Sequence, residues 1–192
     1  AGVSGAPAPQ MYRNVFYQCS GLTGEIPSGL FGTFDGAPAE YMFDATFYGC
    51  TNLTGKIPAN LFAGISGAPA AEMYHSTFNG CRNLSGTIPE TLFGNISGDT
   101  KSNMYNATFQ NCWGLTGEIP LGLLGNLSGT VEKLALSRTF NGCSGLTGPS
   151  ARNPDGTPLY DVFPDATMAN VQYMYNGATG LSDYADIPAA WK

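Results

Sequence analysis

Charged side chains are scarce in this sequence: Asp, Glu, Lys and Arg together make up 11% of its 192 residues, and the formal net charge is -6. Proteins that bind nucleic acid neutralise phosphates with dense sets of Lys and Arg. We therefore expect no nucleic acid partner. Long apolar runs are also missing, since none approaches the roughly 18–20 residues that a membrane helix needs. We expect no membrane insertion.

The residue patterns of common catalytic and cofactor sites are missing as well. The sequence has one histidine, His75, and no Cys-x-x-Cys pair, Gly-rich phosphate loop or Ser/His/Asp set. His75 shares a repeat position with varied polar residues, which predicts a solvated surface side chain; the others are Arg13, Asp44, Asn106 and Ser137. We predict a protein that is not an enzyme, with no catalytic residue, no cofactor and no metal site.

What the sequence does contain is a repeat of fixed length. Its cysteines follow one another at intervals of 31 residues, at Cys19, Cys50, Cys81, Cys112 and Cys143. A fixed period in this range indicates stacked units that bury their apolar sides against each other. We predict one α/β domain over 1–192, a solenoid of six coils with a parallel sheet on one face and short helices on the other. The repeats are regular over 1–148, interrupted by an insertion over 149–172, and degenerate over 173–192.

Each repeat carries signals for a helix and then a strand. The apolar spacing of Met42, Phe47 and Cys50 predicts a short helix, with its start at Ser-Gly-Ala-Pro, as in 66–72. A Gly or Asn column then predicts a left-handed helix stop. The strand is Leu-Thr-Gly-x-Ile-Pro, whose Leu and Ile columns are predicted to point inward. They comprise Leu22, Leu53, Leu84, Leu115 and Leu146, and Ile26, Ile57, Ile88 and Ile119.

The cysteine column predicts a row of reduced, buried thiols, because free Cys packs as a small apolar side chain. Neighbouring repeats would place successive thiols close together, so disulfides between adjacent cysteines are the alternative, and metal binding is a third. An odd number of cysteines excludes complete pairing within one chain.

The insertion is rich in turn residues, and Asn-Pro-Asp-Gly predicts a turn around Asp155. Calcium binding is the alternative there, because carboxylate and amide oxygens are its ligands. The oxygen donors for it are Asn153, Asp155, Gly156, Asp161 and Asp165.

The pattern Phe-x-x-Cys-x-x-Leu followed by Ile-Pro, as in Phe47, Cys50, Leu53, Ile57 and Pro58, resembles the bacterial leucine-rich repeat surface proteins of the Treponema (BspA-like) type. The resemblance covers 1–148 well and 173–188 loosely. It implies an α/β solenoid on a cell surface, in adhesion or host contact, without catalytic residues. The 31-residue repeat is longer than the usual 20–29. We expect the protein to be extracellular or at the cell surface.

Two sets of exposed residues are candidate sites. The outward strand positions form the predicted ligand face, for a host or cell-surface protein or glycan: Glu25, Lys56, Arg82, Thr87, Trp113 and Glu118. Five Asn-x-Ser/Thr sequons are candidate glycosylation sites, with an unmodified polar turn as the alternative: Asn52, Asn83, Asn95, Asn106 and Asn126.

Lys192 corresponds to Phe62 in the repeat, and the residue after Phe62, Ala63, is the counterpart of Ala1. The sequence therefore stops at the point of the repeat where it starts. Open ends of a solenoid need cover, so we predict a structural subunit that stacks head to tail into a continuous fibre. The predicted subunit contacts are Ala1, Gly2, Val3, Ile187, Trp191 and Lys192. The alternative is an adhesin or ligand-binding module excised from a longer surface protein.

Overall fold

The computed structural model describes residues 4–192 as a mixed α/β structure with short strands and few short helices. The strands are β1 Ser4–Gly5, β2 Thr33–Phe34, β3 Ser66–Gly67, β4 Asn95–Asp99, β5 Gly117–Glu118, β6 Asn126–Ser128 and β7 Leu146–Thr147. The helices are α1 Leu159–Val162, α2 Met168–Val171 and the 3₁₀-helix Ala189–Trp191. The predicted contacts Ala1, Gly2 and Val3 lie outside the described residues.

The strands form three small parallel sheets, in the orders β1-β2, β3-β4-β6 and β5-β7. The sheet of β5 and β7 confirms the strand predicted in Leu-Thr-Gly-x-Ile-Pro, and single bridges such as Gly24 to Leu53 continue the same pairing. Gly117 pairs with Leu146, two residues short of the 31-residue repeat. Each strand therefore meets its neighbour with a shift of two residues.

The segment that contains Ser66 does not begin a helix, and that prediction was wrong. Ser66 lies in β3 and pairs with Asn95 of β4, while its N–H donates to the Gly36 carbonyl of the preceding repeat at 2.9 Å. The backbone of Ser66 is therefore hydrogen-bonded to neighbouring repeats and does not form the first turn of a helix. A second parallel ladder results, which the Gly and Pro residues of this segment did not indicate.

The short helix predicted over 42–50 was also wrong, because the segment is a succession of turns. The N–H groups of Phe43, Ala45 and Phe47 donate to carbonyls of the next repeat at 2.8–3.0 Å. The intervening N–H groups, including that of Asp44, donate three residues back along the chain at 3.2–3.3 Å. We call 41–50 and its repeat equivalents the turn segments. The left-handed conformation predicted at Gly49 is present, with a φ of 69°, but it ends no helix.

The spacing between repeats explains why helices do not form here. Phe47 and Phe78, equivalent residues of adjacent turn segments, stack with ring centroids 5.6 Å apart. Parallel strands lie about 4.8 Å apart, whereas packed helices need 8–10 Å between their axes. Adjacent repeats are therefore too close to accommodate one helix each.

The core consists of columns of equivalent side chains. The predicted Leu and Ile columns are buried, except that Leu22 in the first repeat is exposed. One aromatic column runs through the core with rings stacked at 5.2–6.4 Å, and it contains Phe16, Phe47, Phe78, Phe109, Phe140, Tyr175 and Trp191. Buried threonines form another column, where Thr77 donates its hydroxyl to the Phe43 carbonyl of the preceding repeat at 3.0 Å.

The end of the chain folds over the last repeat. The Trp191 carbonyl accepts a hydrogen bond from the Tyr175 N–H at 2.9 Å, a position that the next repeat fills elsewhere, as in Phe78 to Thr108. The Trp191 side chain is 2% exposed and stacks on Tyr175. Residues 189–191 thus cover the apolar column at Tyr175.

Candidate functional site

The predicted ligand face is an exposed strip along the Leu-Thr-Gly strands, and all of its predicted residues are exposed: Glu25, Lys56, Arg82, Thr87, Trp113 and Glu118. Because neighbouring strands are shifted by two residues, a side chain of one strand lies over a glycine of the next, and that position requires glycine. A Cβ on Gly55 would lie 2.5 Å from the Glu25 side chain, and Gly55 has a φ of 73°. The strand glycine therefore leaves room for a side chain of the preceding repeat to lie across the strip.

Arg82 and Trp113 form the most distinctive contact of the strip. The guanidinium carbon of Arg82 lies 4.6 Å from the centroid of the Trp113 ring, within the range of a cation–π interaction. Trp113 is nonetheless 51% exposed. Because the two residues occupy the same position in neighbouring repeats, the stacking of repeats brings together an exposed aromatic surface and a fixed positive charge.

His75 is not the solvated side chain that its varied column predicts. Its Nδ1 lies 2.9 Å from Asp44 Oδ1 and 3.5 Å from Glu72 Oε2, and Arg13 Nε donates to Asp44 Oδ2 at 2.9 Å. The Asp44 side chain is 6% exposed and that of His75 30%. A buried carboxylate needs such partners. The sequence signal was the alternation of basic and acidic residue types down one column, at Arg13, Asp44 and His75.

The five sequons differ in access. Asn52, Asn83, Asn95 and Asn126 are exposed. Asn106 is buried in its turn segment, and its side-chain amide donates to Asn103 Oδ1 at 2.9 Å. A glycan on the Asn106 amide nitrogen would need that buried group to reach solvent.

In the insertion, the predicted turn is present. The Thr157 N–H donates to Asp155 Oδ1 at 2.9 Å, and this hydrogen bond lowers the pKa of Asp155. Asn153 is buried and its amide is occupied, accepting from the Leu127 N–H and donating to the Leu127 carbonyl. The calcium alternative therefore loses one of its oxygen donors.

The predicted subunit contacts at the end of the chain lie partly in the core. Ile187 and Trp191 are buried against the chain's own last repeat. Lys192 Nζ donates to the carbonyls of Tyr184 and Ala185 at 2.9 and 3.2 Å. Contact between subunits through Ile187 or Trp191 would require this segment to open.

The five cysteines are free thiols, four of them buried, as the packing interpretation predicts. Each buried thiol donates to a backbone carbonyl of the preceding repeat, such as Cys81 Sγ to the Phe47 oxygen at 3.1 Å. Burial raises the pKa of Cys50 to about 11 and that of Cys143 to about 12. Since the thiolate is the reactive form, these groups are poor nucleophiles and poor metal ligands.

Comparison of the chain with protein-family models, with curated proteins and with solved structures found no match. Among residues 4–192, no helix has the length and apolar character that crossing a bilayer requires.

Proposed function

We propose that the chain is a six-coil solenoid of the leucine-rich-repeat kind, and that it is a non-enzymatic binding module of the cell surface or the extracellular space. The solenoid is supported by the backbone hydrogen bonds of the turn segments. They join residues 30 apart, from Tyr12 with Met42 to Tyr105 with Ala135. The location is supported by the low charge of the sequence and by its resemblance to bacterial leucine-rich-repeat surface proteins.

The binding function rests on one observation, the exposed indole of Trp113 beneath the guanidinium of Arg82. Trp and Arg are the residue types that contribute most at interfaces. Both lie in turns that precede the strand positions of neighbouring repeats, and their mutual contact already restricts the two side chains, so binding would cost little further ordering. The ligand we propose is a cell-surface glycan or protein that places an apolar face on the indole and a carboxylate near Arg82.

Binding of the purified chain to a glycan array and to intact cells tests this function. Trp113→Ala and Arg82→Ala are expected to lose binding, and Met168→Ala is the matched control, because Met168 is equally exposed but lies in α2 of the insertion. Retained binding by both variants of the strip would contradict the proposal, as would absence of binding by the unaltered chain.

A second candidate function is the head-to-tail structural fibre. It is favoured by the exposed apolar side chains of the first described repeat, Val15, Tyr17 and Leu22. Trp191 is buried and does not reach a second copy. In such a fibre, the surface of one copy that 189–191 covers must therefore pack, without opening, against this apolar surface of the next copy.

Electron microscopy and light scattering at several concentrations test the fibre. Fibres with an axial repeat of roughly 28–30 Å, six times a rise of ~4.8 Å, would support it. Leu22→Lys should then prevent assembly, whereas Leu121→Lys, at an exposed apolar residue elsewhere, should not. A uniform monomer at high concentration would contradict it.

A further inference from the structure

Three potential metal ligands meet where the turn segments of two neighbouring repeats touch. Asp44 comes from one repeat, and Glu72 and His75 come from the next. One ligand atom from each lies within 4.8 Å of the other two. His75 Nδ1 is 2.9 Å from Asp44 Oδ1 and 3.5 Å from Glu72 Oε2.

These distances suit a tetrahedral zinc ion. Zn²⁺ binds imidazole nitrogen and carboxylate oxygen at about 2.0–2.2 Å, so two ligand atoms of a tetrahedral site are separated by about 3.3 Å. We propose that Asp44, Glu72 and His75 bind one Zn²⁺, with water as the fourth ligand. The ion takes the place of the direct contact between His75 Nδ1 and the Asp44 carboxylate.

Neighbouring side chains already hold the two carboxylates of the site in place. Asp44 Oδ2, the oxygen that faces away from His75, accepts from Arg13 Nε at 2.9 Å, and Glu72 Oε1 accepts from Asn103 Nδ2 at 3.4 Å. Outer hydrogen bonds of this kind orient ligating carboxylates. Asp44 is almost fully enclosed, while the Glu72 and His75 side chains are 21% and 30% exposed. The ion can therefore enter from the solvent side.

The other repeats lack this set, which fixes the stoichiometry. Asn103 stands where the preceding repeat has Glu72, and Asn106 and Ser137 continue the column of Asp44 and His75. A site built from repeat-equivalent positions would recur along the chain, whereas this one occurs at a single junction. The chain should bind one zinc ion.

Isothermal titration calorimetry of the full chain with ZnCl₂ tests the site. A Cys19→Ser background removes the half-buried thiol, the most accessible of the five cysteines. His75→Ser and Glu72→Asn introduce residue types that equivalent positions already carry, at Ser137 and Asn103, so both variants should fold. Each is expected to weaken zinc binding at least about tenfold. Glu90→Gln, which removes an exposed carboxylate outside both the zinc ligands and the predicted ligand face, should leave zinc binding unchanged.

Cobalt(II) substitution identifies the ligands. The expected spectrum has visible d–d bands and no thiolate charge-transfer band, because oxygen and nitrogen atoms form the site. A thiolate band would overturn the assignment. Absence of binding by the unaltered chain would do the same, as would undiminished binding in folded His75→Ser protein; Asp44, Glu72 and His75 would then be only a bridge of charges between repeats.

Discussion

Trp191 stacks on Tyr175 with ring centroids 6.4 Å apart, and its carbonyl accepts the Tyr175 N–H at 2.9 Å. This contact closes the aromatic column with a residue from the end of the same chain. Beside Tyr175, Trp191 thus accepts the hydrogen bond and makes the stacking contact that the following repeat provides elsewhere.

Loss of the Trp191 side chain should destabilise the protein strongly. Trp191→Ala removes a large side chain that is 2% exposed, and substitutions of this kind cost about 3–5 kcal/mol of unfolding free energy. Urea denaturation followed by circular dichroism measures the change. Trp113→Ala is the matched control, expected to cost no more than about 1 kcal/mol, because it removes an exposed side chain and its cation–π contact with Arg82. Equal losses in the two variants would show that Trp191 does not cover the core.

Tyr74→Phe should stabilise the protein. The Tyr74 hydroxyl is buried and has no hydrogen-bond partner among the described residues, and Phe43 fills the same column position in the preceding repeat. A buried hydroxyl without a partner costs about 1–3 kcal/mol, so the unfolding free energy should rise by about 1 kcal/mol. Tyr175→Phe should lower it, because the Tyr175 hydroxyl accepts from the Ala151 N–H at 3.1 Å. A decrease for Tyr74→Phe would indicate an internal water at that hydroxyl.

Thiol labelling should distinguish Cys19 from the other cysteines. Cys19 is half-buried, whereas Cys50, Cys81, Cys112 and Cys143 are inaccessible and protonated at neutral pH. Iodoacetamide applied to the folded protein should modify Cys19 alone, and all five should react in denaturant. Peptide mass spectrometry locates the labels. Rapid native labelling of Cys81 would contradict the buried column.

Stability should fall in alkaline solution. Burial raises the thiol pKa values, that of Cys50 to about 11, so the unfolded chain loses these protons first as the pH rises. Above about pH 9 the unfolded state therefore binds fewer protons than the folded state, and the free energy of unfolding decreases by about 1.4 kcal/mol per pH unit for each such thiol.

Urea titrations at about pH 8 and about pH 10.5 measure this decrease. Cys81→Ala should make it smaller, because it removes one buried thiol; Ala178 already occupies the same column in the last repeat. An unchanged pH dependence in Cys81→Ala would exclude that thiol as a source.

Secretion from a glycosylating eukaryotic host should modify some sequons and not others. Asn52, Asn83, Asn95 and Asn126 are exposed, whereas Asn106 is buried. We expect glycans at exposed sites and none at Asn106, as mapped by mass spectrometry after enzymatic deglycosylation. Quantitative occupancy of Asn106 would mean that its turn segment forms after glycan transfer.

The features that could be predicted from the sequence are those that depend on one repeat position at a time. The inward Leu and Ile residues, the buried cysteines and the left-handed residue at Gly49 all follow from one position repeated every 31 residues. The secondary structure of 42–50 did not follow. Turns that recur every four residues place Phe43 and Phe47 on one side much as a helix of 3.6 residues per turn does. The sequence pattern therefore fits both a helix and a run of turns, and only the distance between neighbouring repeats decides between them.

The cluster of Asp44, Glu72 and His75 was missed for a related reason. Asp44 and His75 share a column, and Glu72 lies three residues before His75. The contact of Asp44 with His75 depends on the close stacking of neighbouring turn segments, which the prediction of a helix did not include. The acidic and basic residue types of the column were visible, and their contact was not.

The hydrogen bonds of the turn segments make the length of the protein adjustable in whole steps. Tyr12 bonds to Met42, Phe43 to Met73 and Tyr74 to Met104, always 30 positions ahead. Deleting or duplicating one 31-residue unit between Cys50 and Cys112 would rejoin the same donors to equivalent acceptors, whereas a cut of another length would leave a mismatched seam. Unequal recombination within the gene could thus lengthen or shorten the molecule one repeat at a time without redesigning its interior.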